Sequence, residues 1–115
     1  MDVYAAIADP TRRQVLYLLR VHERAAGELA KSFPNLSQPA MSQHLRVLRE
    51  TGLVKMRPEF QRRIYSLRPD GFAELDGWLA HYRQFWQMNL DSLERYLDHS
   101  SRPGRGKRRK RSEEP

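Results

Sequence analysis

The 115-residue chain contains no cysteine, which excludes disulfide cross-links, thiolate catalysis and thiolate metal sites together. No apolar run approaches the roughly 20 residues of a membrane span, and Met1-Asp2-Val3 enters a short amphipathic stretch without a charged-then-apolar leader. A cytoplasmic protein with no membrane partner is expected. No glycine-rich loop precedes a helix, the carboxylates are scattered, and Ser42 and His44 sit two apart on one helix and so point apart. Nothing resembles a catalytic constellation, and no enzymatic activity is expected.

What is present is positive charge, unevenly placed. The net charge is +7. Residues 101–115 hold seven Lys/Arg against two Glu, a local +5. Arg46 to Arg68 holds seven Lys/Arg against Glu50 and Glu59, again +5, whereas residues 70–98 hold two Arg against six carboxylates, −4. The folded part is polarised. A basic segment is either an ordinary solvated surface or the footprint of a phosphate-binding face, and its neighbourhood decides between them.

That neighbourhood is Leu36 to Val54. Ser37 can cap a helix and Pro39 is tolerated in its first turn, where N–H groups have no intrahelical partner. Met41, Leu45 and Leu48 recur at helical spacing, Gln38, Ser42, Gln43, Arg46 and Arg49 fall outward, and Thr51-Gly52 supplies a stop. Ahead of it, Ala26 to Phe33 reads as a shorter helix with Leu29, Ala30 and Phe33 inward, broken at Pro34-Asn35. The pair forms a helix-turn-helix, a unit of DNA recognition, although the usual turn glycine is missing.

The rest of the chain supports that unit. Asp2 to Ala8 is a short helix with Val3, Tyr4 and Ile7 apolar, and Asp9-Pro10 caps and opens a second helix that runs to about Val21. It buries Val15, Leu16 and Leu19 and shows Arg12, Arg13, Gln14 and Arg20 outward; His22-Glu23-Arg24 is a polar connection. Leu53 to Glu59 and Arg63 to Leu67 read as strands around Phe60-Gln61-Arg62, a hairpin loose at its tip, where Arg57, Arg62 and Arg63 could reach a phosphate backbone. Asp70 is the expected cap of a long fifth helix. From Phe72, residues Leu75, Leu79, Tyr82, Trp86, Leu90, Leu93 and Leu97 follow at a near-heptad spacing, widened by Trp78, Phe85 and Tyr96. A helix of about 42 Å with such a stripe asks for a second copy of the chain. The expected homodimer interface comprises Val3, Tyr4, Ile7, Leu79, Tyr82, Trp86, Leu90, Leu93 and Leu97. Residues 101–115 have no apolar anchor and are expected to be a disordered basic tail, either adding non-specific DNA affinity or simply solvated.

The motifs Ala8-Asp9-Pro10-Thr11-Arg12-Arg13, Gly27-Glu28-Leu29-Ala30, Ser37 through Glu50, Gly52-Leu53-Val54 and Arg63-Ile64-Tyr65-Ser66-Leu67 carry a resemblance. The chain resembles the ArsR-type winged helix-turn-helix transcriptional regulators from about Val3 to Leu97. That resemblance implies a mainly α fold of four helices, a small β-hairpin wing and a fifth helix that pairs in a symmetric dimer. One domain, residues 1–100, would bind DNA and dimerise.

By the same resemblance Gln38, Ser42 and Gln43 are the base-reading candidates, since an amide can pair with adenine N6/N7 and a hydroxyl suits either kind of base. Ser37, Arg46, Arg49, Arg57, Arg62 and Arg63 become phosphate contacts, which set register. His44 either seats the helix or touches a base. Many members sense metals through cysteines near the third helix or through Asp-x-His with a later His-x-x-His or His-x-x-Glu on the fifth. This chain offers only His81 and Asp98-His99. No metal and no cofactor are expected, and the resemblance points to a metal-independent branch. The implied function is a dimeric repressor, of its own gene or of others, on a palindromic operator of double-stranded DNA. The alternative is an effector-responsive regulator, with an unidentified small molecule or partner protein at the aromatic interface lined by Trp78, Tyr82, Phe85 and Trp86.

Overall fold

The computed structural model describes residues 1–101, with side chains through Asp98. Residues 102–115 of the expected tail and the side chain of His99 lie outside the described residues. The chain divides into two units, Met1–Gly77 and the part from Trp78 onward.

Capping residues set the first elements. The Asp2 carboxylate accepts the Ala5 N–H at 2.8 Å and starts α1 (Val3–Ile7). Asp9 accepts from Thr11 and Arg12 at 2.7 and 3.1 Å and starts α2 (Pro10–Leu19), with Pro10 where no N–H is needed. Arg12 corrects the outward reading: its side chain is only 11% exposed, and its guanidinium donates back to the carbonyls of Ala5 and Ala6. Those carbonyls belong to the last turn of α1, where the Ala5 carbonyl also accepts the Ala8 N–H at 3.2 Å.

The expected polar connection contains a strand. β1 (Arg24–Ala25) is followed by α3 (Ala26–Lys31), whose Glu28 carboxylate accepts the Ala25 N–H at 2.7 Å. Leu29 is buried and Phe33 half-buried as expected, but Ala30 is exposed, because the helix stops at Lys31 and turns away before a full inward stripe can form.

Next comes α4 (Gln38–Glu50), begun by Ser37, whose hydroxyl accepts the Ala40 N–H at 3.2 Å. It ends at Gly52, φ +82°: the Gly52 N–H bonds the Arg49 carbonyl and the Leu53 N–H bonds the Leu48 carbonyl, both at 3.0 Å. This is the paired 5→2 and 6→1 closure that a left-handed glycine allows. Met41, Leu45 and Leu48 are buried, joined by Val47.

β2 (Val54–Glu59) and β3 (Arg62–Leu67) pair antiparallel from Val54↔Leu67 to Glu59↔Arg62. β1 adds to the other side of β3, so the sheet has three strands in the order β1-β3-β2 rather than the two expected. Only Phe60 and Gln61 connect β2 to β3, and Phe60 takes φ +58°. A 3₁₀ turn, Pro69–Phe72, precedes α5 (Ala73–Ser101). Asp70 lies inside that turn and holds the Arg68 guanidinium at 2.7 Å, so it does not cap α5 as expected.

Val15, Leu29, Leu48, Leu53 and Val54 are almost completely excluded from solvent and join the helices to the sheet. Each side chain of this kind stabilises the fold by about 1.5–3 kcal/mol relative to exposure. Val3 belongs to this core at 7% exposure, while Tyr4 and Ile7 pack against it half-buried.

Along α5, Leu79 is half-buried, whereas Tyr82, Trp86, Leu90, Leu93 and Leu97 are 41–55% exposed. Trp78 and Tyr82 have ring centroids 5.2 Å apart at 59°. His81 turns its Nδ1 to the Trp78 carbonyl at 3.2 Å. No group of three His, Cys, Asp or Glu among the described residues is placed to hold a metal ion, and none of the described helices is long and apolar enough to cross a membrane.

Candidate nucleic-acid interface

At about 100° per residue, Gln38, Ser42, Arg46 and Arg49 fall within about 80° of one another on α4. All four are exposed, on the flank of the helix beside buried Leu45, which also lines the groove they face. The hairpin brings Gln61, Arg62 and Arg63 to face them, and the two sets line one open groove of about 950 Å³, with Glu28 and Lys31 of α3 also at its wall. Residues far apart in sequence are thus gathered into a concave, basic and amide-bearing surface.

The remaining predicted residues are placed differently. Gln43 is exposed on α4 outside the groove lining, and its carbonyl accepts from Arg46 at 3.2 Å. The Ser37 hydroxyl accepts the Ala40 N–H at the cap, and its O–H can still donate. Arg57 is also outside the lining. Glu23 grips its guanidinium through both oxygens at 2.7 and 2.8 Å, and Glu59 adds a third bond at 3.0 Å. Arg57 is accordingly held above its ordinary value, first by the Glu23 hydrogen bond, and Glu23 is held below its own by the same bond.

Arg62 stands 3.7 Å from Glu28. Glu28 sits below its ordinary carboxyl value, chiefly through the Ala25 N–H, with partial desolvation opposing and Arg62 assisting. Arg49 and Arg63 have no ion pair among the described residues. The groove thus keeps uncompensated cations at both walls.

His44 is half-buried on the inner side of α4, and its Nδ1 lies 3.2 Å from an Arg12 nitrogen. That contact belongs to the seating of the helix. Sequence reasoning left Arg12, Glu23 and Phe60 without site roles. Glu23 carries no local signal because its partner Arg57 is 34 positions away.

Residues 9–56 match the family described as bacterial regulatory protein, arsR family. The HTH-type transcriptional regulator Rv2034 of Mycobacterium tuberculosis is 41% identical over 95 residues, covering 83% of this chain and 85% of that protein. The chain belongs to the ArsR family. The transcriptional repressor SdpR of Bacillus subtilis is 33% identical over 81 residues, covering 70% of this chain and 89% of the repressor. A crystal structure described as a possible transcriptional regulator for arsenical resistance is similar to it with a TM-score of 0.64 and 40% identity, over 88% of this chain and 98% of that one. The mainly helical winged helix-turn-helix fold is the family's, and this ArsR-family chain is a DNA-binding transcriptional regulator.

Proposed function

We propose that the chain is a dimeric repressor that reads a two-fold operator with α4 in the major groove. The observation that carries this reading is the convergence of Gln38, Ser42, Arg46 and Arg49 with Gln61, Arg62 and Arg63 around one groove. Gln38 and Ser42 offer hydrogen bonds to base edges, Gln43 extends the reading along the helix, and Arg46, Arg49, Arg62 and Arg63 hold phosphates. Ser37, at the start of α4, can donate to a phosphate. The two copies of α4 would occupy successive major grooves about 34 Å apart.

Dimerisation is supported by the row Tyr82, Trp86, Leu90, Leu93 and Leu97, whose exposure is unusual for the surface of a soluble monomer. Repression is supported by the kinship with a repressor. The arsenical link belongs to the solved relative; this chain, without cysteine, has no thiolate for a soft metalloid.

The test is selection of bound duplexes from genomic fragments, including the region upstream of the chain's own gene, followed by affinity measurements on variants of the recovered site. Gln38→Ala and Gln43→Ala should relax discrimination among the variants. Unchanged relative affinities would remove α4 as the reader. Charged residues at Leu90 and Leu93 should give monomers that bind the two-fold site poorly, and a monomeric wild-type chain that binds it tightly would refute the dimer. Metals or metabolites added to the same assay separate a constitutive repressor from an effector-responsive one.

A further inference from the structure

Phe60 has no role in the reader described above. Its ring is 99% exposed, and its backbone at φ +58° occupies the first position of a two-residue hairpin turn that ordinarily goes to glycine. A large apolar side chain therefore stands in water at a position where its own backbone is strained. The hairpin turn also carries Gln61, Arg62 and Arg63, while the carboxylate of Glu59 is engaged by Arg57. The apolar ring is presented on a basic tip.

We propose that Phe60 is a wedge that enters the minor groove beside the site read by α4 and partly unstacks a base step there. The inference rests on α4 being the major-groove reader. The basic groove has α4 as one wall and the hairpin turn as the other, with Arg46 and Arg49 facing Arg62 and Arg63. That arrangement suits a single phosphate strand, and each strand of a duplex is the ridge between a major and a minor groove. With α4 on the major-groove side of the ridge, the hairpin turn descends on the minor-groove side.

The ladder is paired as far as Glu59↔Arg62, so the tip is one hairpin wide. A phenyl ring cannot hydrogen-bond a phosphate; it leaves water only by packing on sugars and bases, as the apolar wedges of minor-groove binders do. Flexible pyrimidine–purine steps open most easily, so Phe60 adds a sequence preference at a position that α4 does not touch.

The test uses the full chain and a duplex recovered from genomic fragments by the wild-type protein, with 2-aminopurine placed at successive steps flanking the α4 half-site. Wild-type protein should raise the fluorescence at one flanking step. Phe60→Gly should abolish that rise and weaken binding about 10-fold, within the range for losing one base–aromatic contact, while leaving thermal stability equal or higher. Phe60→Leu should retain part of both signals. Wild-type affinity and fluorescence with Phe60→Gly, while Gln38→Ala still loses discrimination, would overturn the wedge and leave the α4 reading standing. If neither substitution changes binding, the α4 reading fails with it. A Phe60→Gly chain that differs only in sedimentation would assign the ring to a protein contact and also overturn the wedge.

Discussion

Arg12 donates a guanidinium N–H to the Nδ1 of His44 across 3.2 Å. An arginine side chain has no acceptor, so Nδ1 is the bare nitrogen and the imidazole proton sits on Nε2. The same guanidinium donates through Nε to the Ala6 carbonyl at 2.7 Å and through a terminal nitrogen to Ala5 at 3.2 Å. One side chain therefore ties α1 and α2 to the helix that carries the reading residues. Lysine has no planar fork to satisfy these partners together. Arg12→Lys should cost about 1.5–3 kcal/mol, the worth of a hydrogen bond to a charged group, and calorimetry should show a melting point lower by roughly 10 °C. An unchanged melting point would deny Arg12 this role.

Gly52 and Gly71 form a second relationship across the end of α4. A Cβ at Gly71 would overlap the Gly52 carbonyl, which is backbone and cannot swing aside. Gly71→Ala should therefore destabilise the fold by about 1–3 kcal/mol, the range for overpacking. Gly52→Ala should cost about 1–2 kcal/mol for a different reason, the left-handed φ of +82°. Chemical denaturation separates the two causes: Gly52→Asn should recover part of the loss, because asparagine tolerates that region, whereas no residue with a Cβ should rescue position 71.

The parts of this fold that were legible are those with a local cause. The cap at Ser37, the stripe Met41-Leu45-Leu48 and the stop at Gly52 lie within a few turns of one another, and each is written in residue types that have one common use. Arg12 was misread because periodicity places a Cβ, not the end of a long side chain that reaches back six positions to Ala6. β1 was missed because two residues cannot display an alternation, and its reason for being extended is the pairing of Ala25 with Ile64. Asp70 looked like a cap because it precedes a helix, but a 3₁₀ turn intervenes and Arg68 claims the carboxylate. In the site, the residues of α4 were readable, whereas the difference between Arg57 and Arg63 depends on Glu23, which is 34 positions from Arg57 in sequence.

That difference predicts unequal roles on DNA. Arg57 is compensated by Glu23 and Glu59, while Arg63 has no ion pair among the described residues. Arg63→Ala should weaken binding to all duplexes and flatten the dependence of log affinity on log salt by about one. Arg57→Ala should change the slope much less. Glu23→Gln should strengthen binding by releasing part of the Arg57 charge. Equal slopes for Arg57→Ala and Arg63→Ala in salt titrations would mean that the Glu23 pair opens on DNA.

Asp9 links stability to pH. Desolvation raises its carboxyl value, but the N–H groups of Arg12 and Thr11 outweigh it, aided by the Arg12 charge, and the net direction is down. A value lowered by folding means that the native state favours the ionised form. The added stability is therefore complete above the unfolded value, about 3.9, and is lost as pH falls through the lower folded value. Asn caps a helix about as well as Asp but carries no charge. Asp9→Asn should accordingly be less stable than wild type at pH 7, with the gap closing once the pH drops below 4. Urea titrations at a series of pH values measure this gap, and a gap that stayed constant down to pH 2 would show that the cap, rather than its charge, supplies the stability.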